Sequence, residues 1–268
     1  MACRDAYQKI MTNKNMVVYR PEIIMPTVKE KVYRLLFGVD SQVKIDSCLQ
    51  NNLNMFDWVL KNKIYPNFWG RNINGENALD TEEIKYLHTQ GCKILPYYAS
   101  KEKKETEEDG IAVAEKAVSI AKDLKISSGM AIFVKIDDLE EATTSFMYGF
   151  AYVMTLAGYT PGFMANTDAK YTFDREFSRG KQMYKDIFEK CLIWATAPTL
   201  AEYDRMTTTH LIHPDNWTPF APSGIRRNEI AIWQYGKDCH QIEDDKGNMT
   251  KFNLNLVRND EVIIRKMF

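Results

Sequence analysis

The sequence lacks most of what marks the specialised protein classes. Its 268 residues carry 35 Lys+Arg against 36 Asp+Glu, a formal net charge of -1. That balance offers no cationic surface for neutralising phosphates, so nucleic acid is not an expected partner. Cysteine is sparse. Cys3, Cys48, Cys92, Cys191 and Cys239 are scattered, odd in number and contain no C-x-x-C pair. Such spacing predicts buried reduced thiols rather than a disulfide framework or a zinc site. No apolar run approaches the roughly 18 residues of a membrane span, so no membrane partner is expected. The opening "MACRDAYQKIMTNKNMVVY" has charges every few residues and no apolar leader core. The expected location is cytoplasmic, with release by lysis or non-classical export giving the same sequence picture. No G-x-G-x-x-G follows an apolar run, and "SRGKQ" lacks the glycine and the Ser/Thr of a phosphate loop. No G-x-S-x-G nucleophile elbow is present either. No cofactor is therefore expected.

What the chain does have is alternation. Hydrophobic content of 45% and charged content of 26% are ordinary globular values, and aromatics at 12% are plentiful. Short apolar runs recur at "RLLFGVDS", "IYPNFWGRN", "GCKILPYYAS", "MAIFVKID", "YTPGFMAN", "KCLIWATAP" and "IAIWQYG". Most adjacent starts lie roughly thirty residues apart, the length of a βα repeat. Helix-like segments fill the gaps. "DTEEIKYLHTQG" has Asp80 as N-cap, Glu83 at the capping-box position and Gly91 as its stop. "GIAVAEKAVSIAKDLKI" aligns Ile111, Ala114, Val118, Ala121 and Leu124, and "LEEATTSFMYGFAYVMTLAG" aligns Phe146, Phe150, Val153 and Leu156 before Gly158. "DREFSRGKQMYKDIFEKC" is a weaker helix, and the charge run "KEKKETEED" reads as a solvated loop.

Apolar runs with little polar alternation fit parallel strands covered on both faces. Seven of them, with a vaguer one at "TTTHLIH", suffice for an α/β fold of the (β/α)8 TIM-barrel type, irregular in its last strands. An open doubly wound sheet is the alternative, disfavoured by the missing glycine-rich loop. Residues 33–268 would form the barrel domain, and residues 1–32 a segment packing on it or preceding it.

Barrel active sites lie at the C-terminal ends of the strands. The residues ending the runs are Asp40, Arg71, Tyr97, Tyr98, Asp137, Asn166, Trp194 and Trp233-Gln234-Tyr235. Carboxylates, amides and flat aromatic walls suit a carbohydrate. Each residue also has a plainer role: a tryptophan at a strand end is often core, and Asp40 before "SQ" could be only a helix cap. His210 and His213 form an H-x-x-H without an evident third ligand, so no metal site is expected.

Several of these stretches resemble the lysozyme-like glycoside hydrolase family 25 and a related glycoside-hydrolase-like family of undetermined function. The resemblance runs through "FGVDSQ", "IFVKID", "AGYTPGFMAN", "LIWATAP" and "IAIWQYG", and spans about residues 33 to 257. It implies a βα barrel and, for family 25, cleavage of the β-1,4 bond between N-acetylmuramic acid and N-acetylglucosamine. It places Asp40 at the family's first-strand aspartate and Asp137 at the first acid of its fourth-strand D-x-E. Two family acids are missing. The D-x-E glutamate falls on Leu139, and a late aspartate falls on Asn253 of "FNLN".

Glycoside hydrolysis usually needs a protonated carboxyl and a second group at the anomeric carbon. With Asp137 as general acid and Asp40 positioning substrate, Glu140 is the best replacement second group. Glu76 and Asp168 are weaker candidates. Asp138 should point away if the strand stays extended, since successive residues face opposite sides. Arg71, Tyr97, Tyr98, Asn166, Trp194, Trp233, Gln234 and Tyr235 would line the sugar cleft. Three functions are compatible with this set. One is hydrolysis of a bacterial cell-wall amino-sugar polymer, with peptidoglycan as partner. A second is a barrel that binds such a glycan without cutting it. The third is a barrel of other function that keeps the two aspartates for stability.

Overall fold

The computed structural model describes residues 35–99, 101–138, 141–202, 217–258 and 261–268. The N-terminal segment, Leu139, Glu140, His210 and His213 lie outside the described residues, as does "TTTHLIH". Six parallel strands follow in order: β1 (Leu35–Ser41), β2 (Phe68–Asn72), β3 (Lys93–Ala99), β4 (Ala131–Lys135), β5 (Thr160–Ala165) and β6 (Leu192–Ala195). A two-residue strand, β7 (Ala201–Glu202), flanks the long hairpin of β8 (Ile232–Glu243) and β9 (Met249–Arg258). β8 pairs in parallel with β6, and β9 pairs antiparallel with β1, so the sheet closes on itself. The result is a closed eight-stranded α/β barrel of TIM type whose last two strands form an antiparallel hairpin. The irregularity expected at the end of the chain is this hairpin.

Seven helices are found among the described residues: α1 (Met55–Lys61), α2 (Thr81–Thr89), α3 (Glu107–Asp123), α4 (Thr144–Leu156), α5 (Thr172–Met183), α6 (Lys185–Phe188) and α7 (Glu261–Ile264). The ends of α2 follow the sequence signals. Asp80 accepts from the Glu83 N–H at 2.9 Å, and Gly91 takes a φ of +65° just beyond the last turn. Glu83, however, turns its carboxylate away from the cap to Arg71 and the Ile45 N–H. In α3 the end of the charge run is helix, not loop. Thr106 caps it, with Asp109 completing a capping box. In α4, Phe146 and Phe150 are buried as expected, but Leu156 is 70% exposed. At about 100° per residue, Leu156 lies roughly 80° round from Phe146, and Met147 and Met154 take the inner stripe.

Alternation along each strand creates two cores. Residues facing outward pack under the helices in one large cluster, including Ile94, Tyr98, Phe163, Trp233 and Tyr235. Residues facing inward fill the barrel with Phe68, Leu95, Tyr97, Phe133, Met164, Trp194 and Ile232. Glycines make room for the largest of these. A Cβ at Gly38 would lie 2.1 Å from the Phe68 ring, and one at Gly70 only 2.5 Å from Trp194. Cys92, Cys191 and Cys239 are free thiols, whereas Cys48 is disulfide-bonded, contrary to the expectation from spacing. Separation in sequence says nothing about approach in space. No helix among the described residues is long and apolar enough to cross a membrane.

Candidate functional site

Strand parity sorts the residues expected at the site. Asp40, Tyr97 and Gln234 face inward at the C-terminal mouth of the barrel. With Asp137, Asn166, Tyr171 and others they line a cavity of about 660 Å³. Arg71, Tyr98, Trp233 and Tyr235 do not line it. Tyr98, Trp233 and Tyr235 belong to the core beneath the helices, and Trp233 Nε1 donates to the Pro198 carbonyl at 3.0 Å. Strand alternation sends the neighbours in Tyr97-Tyr98 and in Trp233-Gln234-Tyr235 to opposite faces, so only Tyr97 and Gln234 reach the cavity. Arg71 is wholly buried. Its Nε meets Glu83 Oε1 at 2.6 Å, and its two terminal nitrogens donate to the Ser41 and Asn77 carbonyls. It joins β2 to α2 and has no face toward the cavity.

Trp194 does face inward, but it forms part of the floor and not the wall. It is fully buried, edge-on to Tyr97 and Phe133, and its Nε1 donates to Asn255 Oδ1 at 2.8 Å. Removing an indole wholly from water is worth roughly 5 kcal/mol gross. Exposing it as a sugar platform would forfeit much of that.

Above this floor sits Asp40, only 3% exposed. Its Oδ1 accepts from Gln234 Nε2 at 2.8 Å and Asn255 Nδ2 at 2.7 Å, and its Oδ2 accepts from Asn253 Nδ2 at 2.8 Å. Two of these amides cannot turn round. The Trp194 indole N–H only donates, so Asn255 must present its oxygen there and its N–H to Asp40. The Asp238 backbone N–H donates to Asn253 Oδ1 at 2.8 Å and fixes that amide in the same sense. Burial pushes the Asp40 carboxyl above the ordinary aspartate range, opposed by the amides of Asn255, Asn253 and Gln234 and by the charge of Lys135. Asn253 thus puts a donor where the family resemblance expects another acid. It is the register partner of Asp40 across β1 and β9.

Asp137 has a different setting. β4 ends at Lys135, and the side chain of Asp137 is 59% exposed, with Oδ1 2.7 Å from Lys135 Nζ. Because the chain leaves the strand before Asp137, Asp138 also lines the cavity, against the expectation from an extended strand. Tyr97, whose phenol burial pushes far above its ordinary range with the Asp40 charge adding to the effect, stays a neutral hydroxyl. Asn166 lines the cavity and accepts from the Asp168 N–H at 3.1 Å.

Sequence reasoning missed Lys135, Lys237, Lys251, Asp238 and Asn255. Lys251 Nζ pairs with Asp238 Oδ2 at 2.8 Å, while Lys237 makes no ion pair among the described residues. Asp238 sits at a φ of +52° within an irregular stretch of β8, which turns its N–H toward Asn253. "FNLN" held one usable signal: amides two apart on a strand share a face. Lys135 has the inward parity of Phe133 in the same way. Among the described residues no cluster of three His, Cys, Asp or Glu side chains is placed to hold a metal.

Comparison with known proteins agrees with this architecture. The chain superposes on an uncharacterized B. stearothermophilus protein with a TM-score of 0.70 at 24% identity, covering 87% of this chain and 100% of that one. That likeness is one of fold. A bacterial lysozyme from Streptomyces coelicolor is similar at 12% identity and a TM-score of 0.48, over 86% of this chain and 96% of that one. A family GH25 lysozyme from Aspergillus fumigatus gives 12% and 0.47, over 87% and 98%. Likenesses of that degree say nothing about chemistry. No curated protein sequence gives a significant match. The model of the Rv2525c-like, glycoside hydrolase-like domain matches residues 65–258, from just before β2 to the end of β9, and the chain belongs to that family.

Proposed function

We propose that the mouth cavity binds an amino-sugar glycan of the bacterial cell-wall type without cleaving it. The observation that carries this reading is the state of Asp40. Both its oxygens accept from side-chain amides, two of which are locked in that orientation, so it is built as a fixed acceptor for donors. A proton donor to a leaving oxygen would need the opposite arrangement. The remaining lining, with amides, threonine hydroxyls and the phenols of Tyr97 and Tyr171, matches the hydroxyls and acetamido groups of a sugar. The volume of about 660 Å³ falls within the range of ligand sites.

Hydrolysis is the second reading. It is favoured by the presence of Asp137 and Asp138 in the same cavity as Asp40. Titration calorimetry with N-acetylglucosamine oligomers and wall fragments, beside an assay for reducing ends, separates the two. Binding that survives Asp137→Asn and weakens in Gln234→Ala, with no reducing ends from any substrate, is expected. Release by the wild type that disappears in Asp137→Asn would replace binding with hydrolysis. Neither binding nor release across the panel would remove the glycan reading altogether.

A further inference from the structure

The amides around Asp40 restrict where its carboxylate can take a proton. A carboxylate offers about four acceptor positions, two on each oxygen. Oδ1 has both of its own filled, by Gln234 at 2.8 Å and Asn255 at 2.7 Å. Oδ2 has one filled, by Asn253 at 2.8 Å. Asp40 lines the mouth cavity, so the open position on Oδ2 is the one through which a bound donor can be held. A proton settles at that same position as long as the three amides keep their sense.

That sense is set below the cavity. Asn255 is wholly buried and does not line the cavity, yet its oxygen takes the Trp194 indole N–H at 2.8 Å. An indole N–H only donates, so Trp194 keeps the Asn255 N–H turned to Asp40. Burial pushes the Asp40 carboxyl upward, and Asn255 opposes that rise more than Asn253, Gln234 or Lys135 does. Gln234 has no comparable lock among the described residues. If it turned its oxygen to a protonated Oδ1, it would show the cavity a donor in place of an acceptor. Either way, protonation takes an acceptor from the wall.

The other ionisable groups come from four strands and the chain after β4. Tyr97 of β3 and Cys239 of β8 feel the Asp40 charge, and burial pushes both upward, Cys239 to about 12. Both therefore stay neutral in acid. Lys135 of β4 adds its charge, and Asp137 and Asp138 follow it along the cavity wall. Lys237 and Asp238 of β8 and Lys251 of β9 complete the lining, whereas Arg71 of β2 is turned to Glu83.

We infer that binding of an amino-sugar glycan in the mouth cavity is gated by protonation of Asp40, with Asn255, oriented by Trp194, as the positioning residue that sets the pH of the gate. The ionised carboxylate holds a ligand N–H, such as that of an acetamido group. The protonated one sets a donor against a donor, and an amide N–H cannot turn round to accept. Affinity is full above the folded pKa of Asp40 and falls as pH drops through it. The inference rests on the glycan reading for its ligand, whereas the path from Trp194 to Asp40 stands apart from it.

Calorimetry of the full chain with the N-acetylglucosamine trimer, from pH 8 down to pH 4 while circular dichroism shows the fold intact, tests the gate. Affinity should fall about tenfold per pH unit below a single midpoint, as expected for one proton. Asn255→Leu and Trp194→Phe should raise that midpoint. On the falling limb each should bind about tenfold more weakly than the wild type, with a deficit that shrinks toward pH 8. A deficit of one size at every pH would make both residues structural supports and overturn their part. Affinity independent of pH overturns the gate and leaves the glycan reading intact. So does a midpoint that disappears in Asp137→Asn, Asp138→Asn or Asp238→Asn. If the floor variants fail to fold, the wild type still answers. The Trp194 indole N–H resonance should titrate with the same midpoint in unliganded protein, and not in Asp40→Asn. A resonance that stays in place overturns the path from Trp194 to Asp40. Absence of binding at every pH removes the glycan reading and the gate together, even where the resonance titrates.

Discussion

Asn253 donates its side-chain amide to Asp40 Oδ2 at 2.8 Å, across a register pair of β1 and β9. A donor and an acceptor meet where an aspartate at the same position would bring two carboxylates together. Asn253→Asp should therefore destabilise the protein by about 2–4 kcal/mol at neutral pH, from a lost hydrogen bond and like-charge repulsion beside the buried Asp40 carboxyl. The cost should shrink on acidification, as one carboxyl takes a proton. Urea denaturation at pH 7.5 and pH 5 measures both; a cost independent of pH would rule out the charge explanation.

The buried Asp40 carboxyl has its own pH signature. Its folded pKa is raised by desolvation, so between the unfolded value of about 3.9 and the folded one the native state holds more protons. Its contribution to stability is fully present below the unfolded value and is lost as pH rises through the folded one. Asp40→Asn has no such titration. The stability of the wild type relative to that variant should fall with rising pH across this window, and a rising difference would contradict the raised value.

Arg71 holds the barrel wall to α2 through Glu83, with both side chains buried. Arg71→Met leaves the Glu83 carboxyl, already pushed above its ordinary range by burial, without the guanidinium that opposes that rise, and should cost about 3–5 kcal/mol. The double variant Arg71→Met with Glu83→Leu should recover much of that loss. Denaturant midpoints of the three variants decide it. If the single change lowered ligand affinity at unchanged stability, Arg71 would belong to the site after all.

Gly70 lies between the floor and Asp40. A Cβ there would stand 2.5 Å from Trp194 and 2.7 Å from the Asp40 Cβ. Gly70→Ala should cost about 1–3 kcal/mol by overpacking and weaken ligand binding by shifting Asp40. Thermal melting and titration of the same sample report the two effects, and an unchanged melting temperature would show that the floor yields.

The sequence by itself determined the barrel and the address of its mouth. Apolar runs at βα spacing predicted β1 to β6, a cap and glycines predicted both ends of α2 and the C-terminal end of α4, and Asp40 and Asp137 were legible as strand-end acids. These are local signals, written in periods of two and 3.6 and in the chemistry of helix ends. Which neighbour of a pair turns inward was already implicit in the same period of two. Tyr97 lines the cavity and Tyr98 does not; Gln234 lines it and Trp233 does not. Only the tertiary structure decided what depends on residues far apart in the chain. Asp40 meets Gln234, Asn253 and Asn255 across about two hundred residues of sequence because β8 and β9 return as an antiparallel hairpin beside β1. Lys135 reaches Asp137 because β4 stops where it does. Hydrogen-bond direction and burial are properties of that closure, and they turn two candidate acids into an amide-held acceptor and an exposed ion pair.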